Sequence, residues 1–190
     1  MKKEVEKLLQ YVQKPARYIG GELNAVMKDK KSIDIRYAFC FPDTYEIGMS
    51  HLGMKILYGL VNEREDAWCE RVFAPDNDME EQLRKNNVPL FALESGDYIK
   101  DFDMIGFTLQ YELCYTNVLN MLDLAGVPLK SSDRKDLTPI IAVGGPCCCN
   151  PEPITDFVDI VFLGEGEEST NEVIDLLKEC KKKGASKQDF

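Results

Sequence analysis

The chain has 190 residues, of which 44% are hydrophobic and 29% are charged, so it can build a core of ordinary domain size and is not expected to be disordered. The net charge of −10 argues against a general nucleic-acid binder, because phosphate contacts require an excess of Lys and Arg. No apolar run approaches the ~20 residues that span a bilayer, and the N-terminal sequence MKKEVEKLLQ lacks an apolar signal core. We therefore expect a cytoplasmic protein without membrane contact.

Residues 1–31 are predicted to form an N-terminal helix and an arm. A short, charged, amphipathic helix is predicted over residues 4–12, and Pro15 ends it. The segment that follows, PARYIGGELN at residues 15–24, is typical of a loop that packs on a domain or reaches a ligand.

Strands and helices alternate over residues 32–181. Strands are predicted at residues 33–39, 68–73, 90–93, 103–109, 139–143 and 159–163. Helices are predicted at residues 51–62, 76–85, 112–124 and 168–180. This alternation with short connections is typical of βαβ units, so it predicts an α/β domain with a mostly parallel sheet and helices on both faces. Residues 182–190 are predicted to form a basic tail.

Four unusual loops follow the predicted strands. They are residues 41–53 (FPDTYEIGMSHLG), 108–115 (TLQYELCY), 144–153 (GGPCCCNPEP) and 164–168 (GEGEE). Ligands of open α/β sheets bind beyond the carboxyl ends of the strands, and glycines let the backbone approach them closely. The four loops therefore predict a wide binding site on one edge of the sheet.

Several residues in these loops have more than one interpretation. His51, the only histidine, could bind a metal, act as an acid or base, or cap a helix. Ser50 could receive an anionic or amide oxygen of a ligand or serve as an N-cap. Tyr111 and Tyr115 could stack on a ligand or only cover the sheet. For the Gly164–Gly166 turn, ligand contact is favoured over a simple turn, because two glycines flank one residue.

The seven cysteines are expected to be reduced thiols, because their number is odd and no signal peptide is present. Neither CxxC nor the CxxxCxxC motif that holds an iron–sulfur cluster occurs. The consecutive Cys147, Cys148 and Cys149 cannot all bind one metal without a distorted backbone, so we interpret them as small buried thiols.

The irregular loops resemble the N-terminal cobalamin-binding domain of a family of cobalamin-dependent radical S-adenosylmethionine (SAM), Fe–S oxidoreductase-type proteins. The resemblance covers most of residues 15–180. The segments that carry it are PARYIGGELN, AFCFPDTYEIGMSHLGMKILYGLVNE, ERVFAPDNDME, LFALES, GFTLQYELCYTNVLNMLDLAGVPL and GGPCCCNPEPITDFVDIVFLGEGEE.

The resemblance implies a flavodoxin-like or Rossmann-like three-layer fold and a cobalamin-binding module. A radical barrel would follow as its partner, carrying CxxxCxxC, a 4Fe-4S cluster and SAM; this sequence ends before such a motif. The corrin amides would meet backbone groups around Gly144, Gly145, Gly164 and Gly166, and the nucleotide tail would enter beside Ser50, His51 and Gly53. The candidate cofactor-binding residues are Asp43, Ser50, His51, Gly53, Gln110, Tyr111, Gly144, Gly145, Gly164, Glu165 and Gly166.

The sequence departs from the DxHxxG motif whose histidine ligates cobalt in methyltransferase-type and mutase-type domains. Met49 stands two residues before His51, where that motif has Asp, and Gly53 stands two residues after it. No catalytic or metal-ligating residue is therefore assigned.

Three other functions stay open. A docking platform could keep the fold without the cofactor, with Tyr111, Tyr115 and the arm around Tyr18 filling the site. A flavin-binding module is less favoured, because the first loop is long and poor in hydroxyl groups. Self-contained catalysis has the least support, because the single histidine lacks an obvious orienting partner.

Overall fold

The computed structural model describes residues 2–190. The strands are β1 (Ile35–Phe41), β2 (Ala67–Phe73), β3 (Met104–Thr108), β4 (Ile140–Gly144) and β5 (Ile160–Val161). The α-helices are α1 (Lys3–Leu8), α2 (Tyr45–Gly48), α3 (Leu52–Asn62), α4 (Asn77–Asn86), α5 (Tyr115–Ala125) and α6 (Gly166–Lys183). No described helix has the length and apolar character needed to cross a membrane.

The five strands form one parallel sheet in the order β2-β1-β3-β4-β5. This is the strand order of flavodoxin-like folds, which places β1 and β3 side by side where the direction of winding reverses. The predicted α/β three-layer fold is confirmed.

Side chains of the sheet alternate between two hydrophobic clusters. One face, with Ala38, Ile105 and Ile141, packs against α1, α4 and α5. The other face, with Phe39, Met104 and Ile140, packs against α3 and α6. The two clusters make the three layers, and the second one contains the candidate site.

The prediction of a strand at residues 90–93 is wrong. This segment makes a single antiparallel bridge, between Phe91 and Tyr98, and only the N–H of Leu93 donates to edge strand β2, at 2.8 Å from the Arg71 carbonyl. The chain turns back at Gly96, which has a φ of 70°. The turn ends the pairing before a ladder can form.

The N-terminal arm packs on the domain and contacts the segment after β1. Arg17 pairs with Glu46 of α2 at 2.9 Å, and Glu22 accepts hydrogen bonds from Tyr45 and Arg71, both at 2.8 Å. The indole N–H of Trp68 in β2 donates to the carbonyl of Val26 in the arm at 2.9 Å. Helix α1 adds Val5 and Leu8 to the core. The division into arm, domain and tail itself stays a prediction.

A buried ionic cluster holds the start of β5. Asp159 accepts from the Arg134 guanidinium at 2.9 Å, from Lys187 at 2.6 Å and from the backbone N–H of Ile141 at 2.8 Å. The side chains of Asp159 and Arg134 are 4% and 3% exposed. Burial acts to raise the pKa of Asp159, but the hydrogen bonds, first that from Lys187, hold it below the usual value of 3.8.

We expect Asp159→Ala to lower the free energy of unfolding by about 3–5 kcal/mol, because it leaves the buried Arg134 charge unpaired. Asp123→Ala is the control, since its 56% exposed carboxylate pairs with Arg84 at the surface and should contribute at most about 1 kcal/mol. Urea unfolding measures both variants. An Asp159→Ala effect no larger than that of Asp123→Ala would contradict the assignment.

The same cluster predicts a pH dependence. Because the pKa of Asp159 is depressed in the folded chain, its contribution is present above the unfolded-state pKa and is lost as pH falls through the folded-state value. Acid should therefore narrow the stability difference between the wild type and Asp159→Ala. A stability difference between the two proteins that stays constant through the acid range would contradict the depressed pKa of Asp159.

Candidate functional site: a cavity at the carboxyl edge of the sheet

A cavity of about 270 Å³ lies between the sheet and helices α3 and α6. Tyr37, Phe39 and Ala142 lie buried in its depth, whereas Gly145 and Glu165 are exposed. The cavity therefore opens at the carboxyl edge of the sheet. We call this opening the mouth; it is bordered by His51, Gln110, Gly145 and Glu165.

Small residues in the two central strands create the cavity. Strand register aligns Phe39 with Gly106, Gly106 with Ala142 and Ala142 with Ile160. One pleat nearer the amino ends, the same face carries the larger Met104 and Ile140. Side-chain volume therefore falls toward the carboxyl edge, and the space under α3 and α6 stays open.

Glycine conformations shape the mouth. Gly145 has a φ of 105°, and a Cβ there would lie 2.8 Å from the carbonyl oxygen of Leu109. Gly164 has a φ of 97°, with no other atom within 4 Å of a Cβ. Gly145 is thus required for close packing of two loops, whereas Gly164 lets the chain turn into α6 and leaves open space.

His51 is the N-cap of α3. Its Nδ1 accepts a hydrogen bond from the backbone N–H of Met54 at 3.1 Å, and its ring centroid lies 5.3 Å from that of Phe41. A neutral imidazole that accepts at Nδ1 carries its proton on Nε2, so neither nitrogen offers a free lone pair to a metal. Of the three interpretations considered for His51, this geometry supports the cap.

The cavity lining contains acidic residues and neutral residues but no Lys or Arg among the described residues. Glu165 is the N-cap of α6, and Glu167 lies in its first turn. The Glu165 side chain makes no cap hydrogen bond, but both residues add negative charge near the helix N-terminus, which disfavours a phosphate there. Gln110 donates to the hydroxyl of Thr108 at 2.5 Å, which fixes a polar side chain beside the mouth.

Most of the residues predicted from the sequence meet at this cavity. Those that line it are His51, Gly53, Gln110, Gly144, Gly145, Gly164, Glu165 and Gly166. Their role in cofactor binding stays a prediction.

Asp43, Ser50 and Tyr111 lie outside the lining. Asp43 accepts a hydrogen bond from the Tyr111 hydroxyl, and this bond, more than burial, raises the pKa of Tyr111 to about 12. Ser50 is not the N-cap of α3; its hydroxyl donates to the carbonyl of Glu46 at 2.8 Å. Tyr18 and Tyr115 also lie outside, so the three tyrosines expected to fill a degenerate site do not fill this cavity.

Sequence reasoning missed the floor and walls of the cavity. Tyr37, Phe39 and Gly106 form the floor, and Leu57 and Thr170 line the walls contributed by α3 and α6. One signal was available: a glycine within a buried strand often marks a place where another group approaches closely.

The cysteine run was only partly interpreted correctly. Cys148 is buried, whereas Cys147 is half-buried and Cys149 is exposed. The three lie in one 3₁₀ turn, Pro146–Cys149, which directs successive side chains differently. Burial raises the pKa of Cys148 to about 11, so it is a thiol at neutral pH. No group of three or more potential ligands with metal-binding geometry occurs in residues 2–190.

The model of a family described as radical SAM proteins, N-terminal, matches residues 53–190. The chain belongs to this family. The match includes β2–β5, helices α4–α6 and every mouth loop except most of the one after β1. The radical SAM part of the resemblance is thereby confirmed, and binding of cobalamin stays a prediction.

An uncharacterized protein of Methanocaldococcus jannaschii is 29% identical to this radical SAM N-terminal chain over 133 residues. The aligned region is 70% of this chain and 24% of the relative, so the chain spans about a quarter of that protein's length.

We expect His51→Ala to lower the free energy of unfolding by about 0.5–2 kcal/mol, because the backbone N–H of Met54 loses its partner. His51→Asn is the matched control, since asparagine is a good N-cap and should retain most of the stability. Urea unfolding distinguishes the variants. Equal destabilisation by both substitutions would show that His51 acts through something other than the cap.

Proposed function

We propose that the chain is the cofactor-binding N-terminal module of a radical SAM protein and that cobalamin is its cofactor. The observation that carries the proposal is the cavity over Gly106 and Ala142, which opens at the carboxyl edge of a flavodoxin-like sheet. In open α/β sheets this edge is where ligands bind.

The dimensions of the cavity suit one end of a large cofactor. Its volume of about 270 Å³ lies just below the roughly 300–1,000 Å³ of typical small-molecule sites. The corrin itself would therefore rest across the mouth, where Gly144, Gly145, Gly164 and Gly166 bring backbone groups within reach of its amides. The nucleotide tail would pass His51 and Gly53 into the cavity.

The charge of the lining supports cobalamin over a flavin mononucleotide or a dinucleotide. Those cofactors present a terminal phosphate or a pyrophosphate, which is held by hydroxyl groups, cations or a free helix N-terminus. Here the lining has no cation among the described residues, and Glu165 and Glu167 place negative charge at the start of α6. The corrin periphery is instead rich in neutral amides, which acidic and backbone groups can hydrogen-bond.

In this proposal the chain binds and orients the cofactor and does not itself react. Bound cobalamin would supply a cobalt centre for methyl transfer or another radical step. The 4Fe-4S cluster and SAM would belong to a barrel domain in the longer protein. His51 would keep its N-cap role, because its Nδ1 already accepts from Met54.

A docking platform is the second candidate, and one observation favours it. Leu52, Leu113 and Leu163 follow the carboxyl ends of β1, β3 and β5 and are 68%, 84% and 69% exposed. Exposed apolar side chains around one edge are typical of an interface. A barrel domain could contact this surface whether or not cobalamin is bound.

We expect the purified chain to retain hydroxocobalamin after desalting, seen as its visible absorption spectrum. Ala142→Leu should abolish retention, because leucine would occupy the floor of the cavity, where Ala142 is fully buried. Ala185→Leu, the same substitution beyond α6, is the control and should retain the cofactor.

Thermal unfolding completes the test. Ala142→Leu should remain folded at the temperature of the binding assay, because position 142 borders the cavity. Gly144→Val is a second filling variant, because Gly144 lines the cavity and a Cβ there would lie 3.5 Å from its nearest neighbour, the Cβ of Phe162. Absence of retained cofactor in the wild type favours the docking platform.

A further inference from the structure

A second pocket lies at the amino edge of the sheet, opposite to the mouth. Its volume is about 400 Å³, and it lies between the segment after α5 and the turn after α6, both of which contact Asp159, the residue before β5. Every lining residue is polar or positively charged: Ser131, Ser132, Arg134, Lys135, Ser186, Lys187 and Gln188. The chain has a net charge of −10, yet among the described residues this lining contains three cations and no carboxylate. Such a lining favours an anion.

The buried cations of this pocket outnumber their carboxylate partners. Arg134 and Lys187 both pair with Asp159, at 2.9 and 2.6 Å, and neither pairs with another carboxylate within residues 2–190. The Arg134 side chain is 3% exposed and that of Lys187 is 18% exposed, so water screens the surplus positive charge poorly. A buried charge without a counter-ion is destabilising. An anion in the pocket would supply the second negative charge.

The hydrogen bonds of Arg134 show a matching excess of donors. Its two terminal nitrogens donate at 2.8–2.9 Å to four acceptors, which are the carbonyls of Pro128, Leu129 and Phe157 and the carboxylate of Asp159. Its Nε is buried and has no partner. Buried donors without a partner are rare in native structures. Arg134 therefore holds the wall of the pocket together and adds to its positive charge, and direct contacts to an anion would come from other side chains.

Lys135 and Gln188 provide donors for such contacts. Both residues are exposed, and the side chain of neither forms a hydrogen bond or an ion pair within residues 2–190. The hydroxyl of Ser186 is less available, because it donates to Asp189, outside the lining, at 2.7 Å. An ammonium group and an amide beside a positively charged wall suit a compact oxyanion. The lining has no apolar side chain that could bury a hydrophobic ligand.

We propose that this pocket at the amino edge binds a phosphate group. The phosphate would accept hydrogen bonds from Lys135 and Gln188 and would balance the positive charge that Arg134 and Lys187 leave uncompensated. Charge-assisted hydrogen bonds of this kind are stronger than those between neutral groups. The pocket lies at the edge opposite to the mouth, so this inference does not depend on the cofactor proposed for the cavity.

Inorganic phosphate is titrated into the isotope-labelled chain at about pH 8, where it is mostly a dianion, and sodium chloride keeps the ionic strength constant. The backbone amide shifts of Ser132 and Gln188 report binding. We expect saturation with a Kd of about 1 mM or below, and no such shifts with chloride alone. Glycerol 2-phosphate is titrated in parallel. Tighter binding of this ester would identify a phosphate ester as the ligand, and tighter binding of inorganic phosphate would identify the free ion.

Lys135→Gln should weaken the binding of inorganic phosphate about fivefold to tenfold, because it removes a charged donor from the pocket. Lys183→Gln is the matched control, since it removes the same charge from an exposed lysine that pairs with Glu179 outside the pocket, and it should bind as the wild type does. Equal weakening by the two substitutions would reveal a general effect of net charge and overturn the proposal. Amide shifts of the wild type that do not saturate would overturn it as well.

Lys187→Gln tests the charge balance separately. With this cation removed, Arg134 and Asp159 compensate each other, so phosphate binding should weaken at least as much as in Lys135→Gln. Wild-type affinity in a folded Lys187→Gln protein would contradict the surplus charge. If that variant does not fold, the comparison of Lys135→Gln with Lys183→Gln still decides.

Discussion

The missing side-chain volume at Gly106 and Ala142 is the constraint on which the candidate site depends. Protein interiors are close-packed, and an enclosed void of about 270 Å³ would cost about 6 kcal/mol at about 24 cal/mol per Å³. The open mouth reduces this cost by admitting water. Gly106 is required by close packing, since a Cβ there would overlap the Tyr37 hydroxyl. The remaining open space beside Ala142 is a feature that stability alone does not explain.

The charges at the carboxyl edge of the sheet further limit the kind of ligand that the site can bind. A parallel sheet with a helix N-terminus at its carboxyl edge is normally suited to phosphate. Here the chain places Glu165 and Glu167 at that terminus, and His51 uses its acceptor nitrogen on the N–H of Met54. The site therefore offers glycine backbone, carboxylates and neutral hydroxyls. This set suits neutral hydrogen-bonding groups better than an anion.

Much of the fold could be predicted from the sequence, because the spacing of apolar residues indicates strands and helices, and glycine and proline mark where these elements end. The strand prediction at residues 90–93 failed although the segment is apolar, because the chain turns at Gly96 and a strand ladder does not form. The glycines around the mouth could be predicted from the sequence, because the loops that contain them directly follow predicted strands. The Asp43–Tyr111 bond joins residues 68 positions apart, and the Tyr37 floor depends on strand register, so neither can be read from local patterns.

The arm explains how a loop-built mouth can hold a defined shape. The segment after β1 is the longest part of the mouth, and its helix α2 is tied to the arm by Arg17–Glu46 and Tyr45–Glu22 contacts. Arg71 of β2 joins the same network through Glu22. Binding sites gain affinity when their walls are positioned before the ligand arrives. The arm thus contributes to the site without touching the cavity, because it fixes the segment that carries His51.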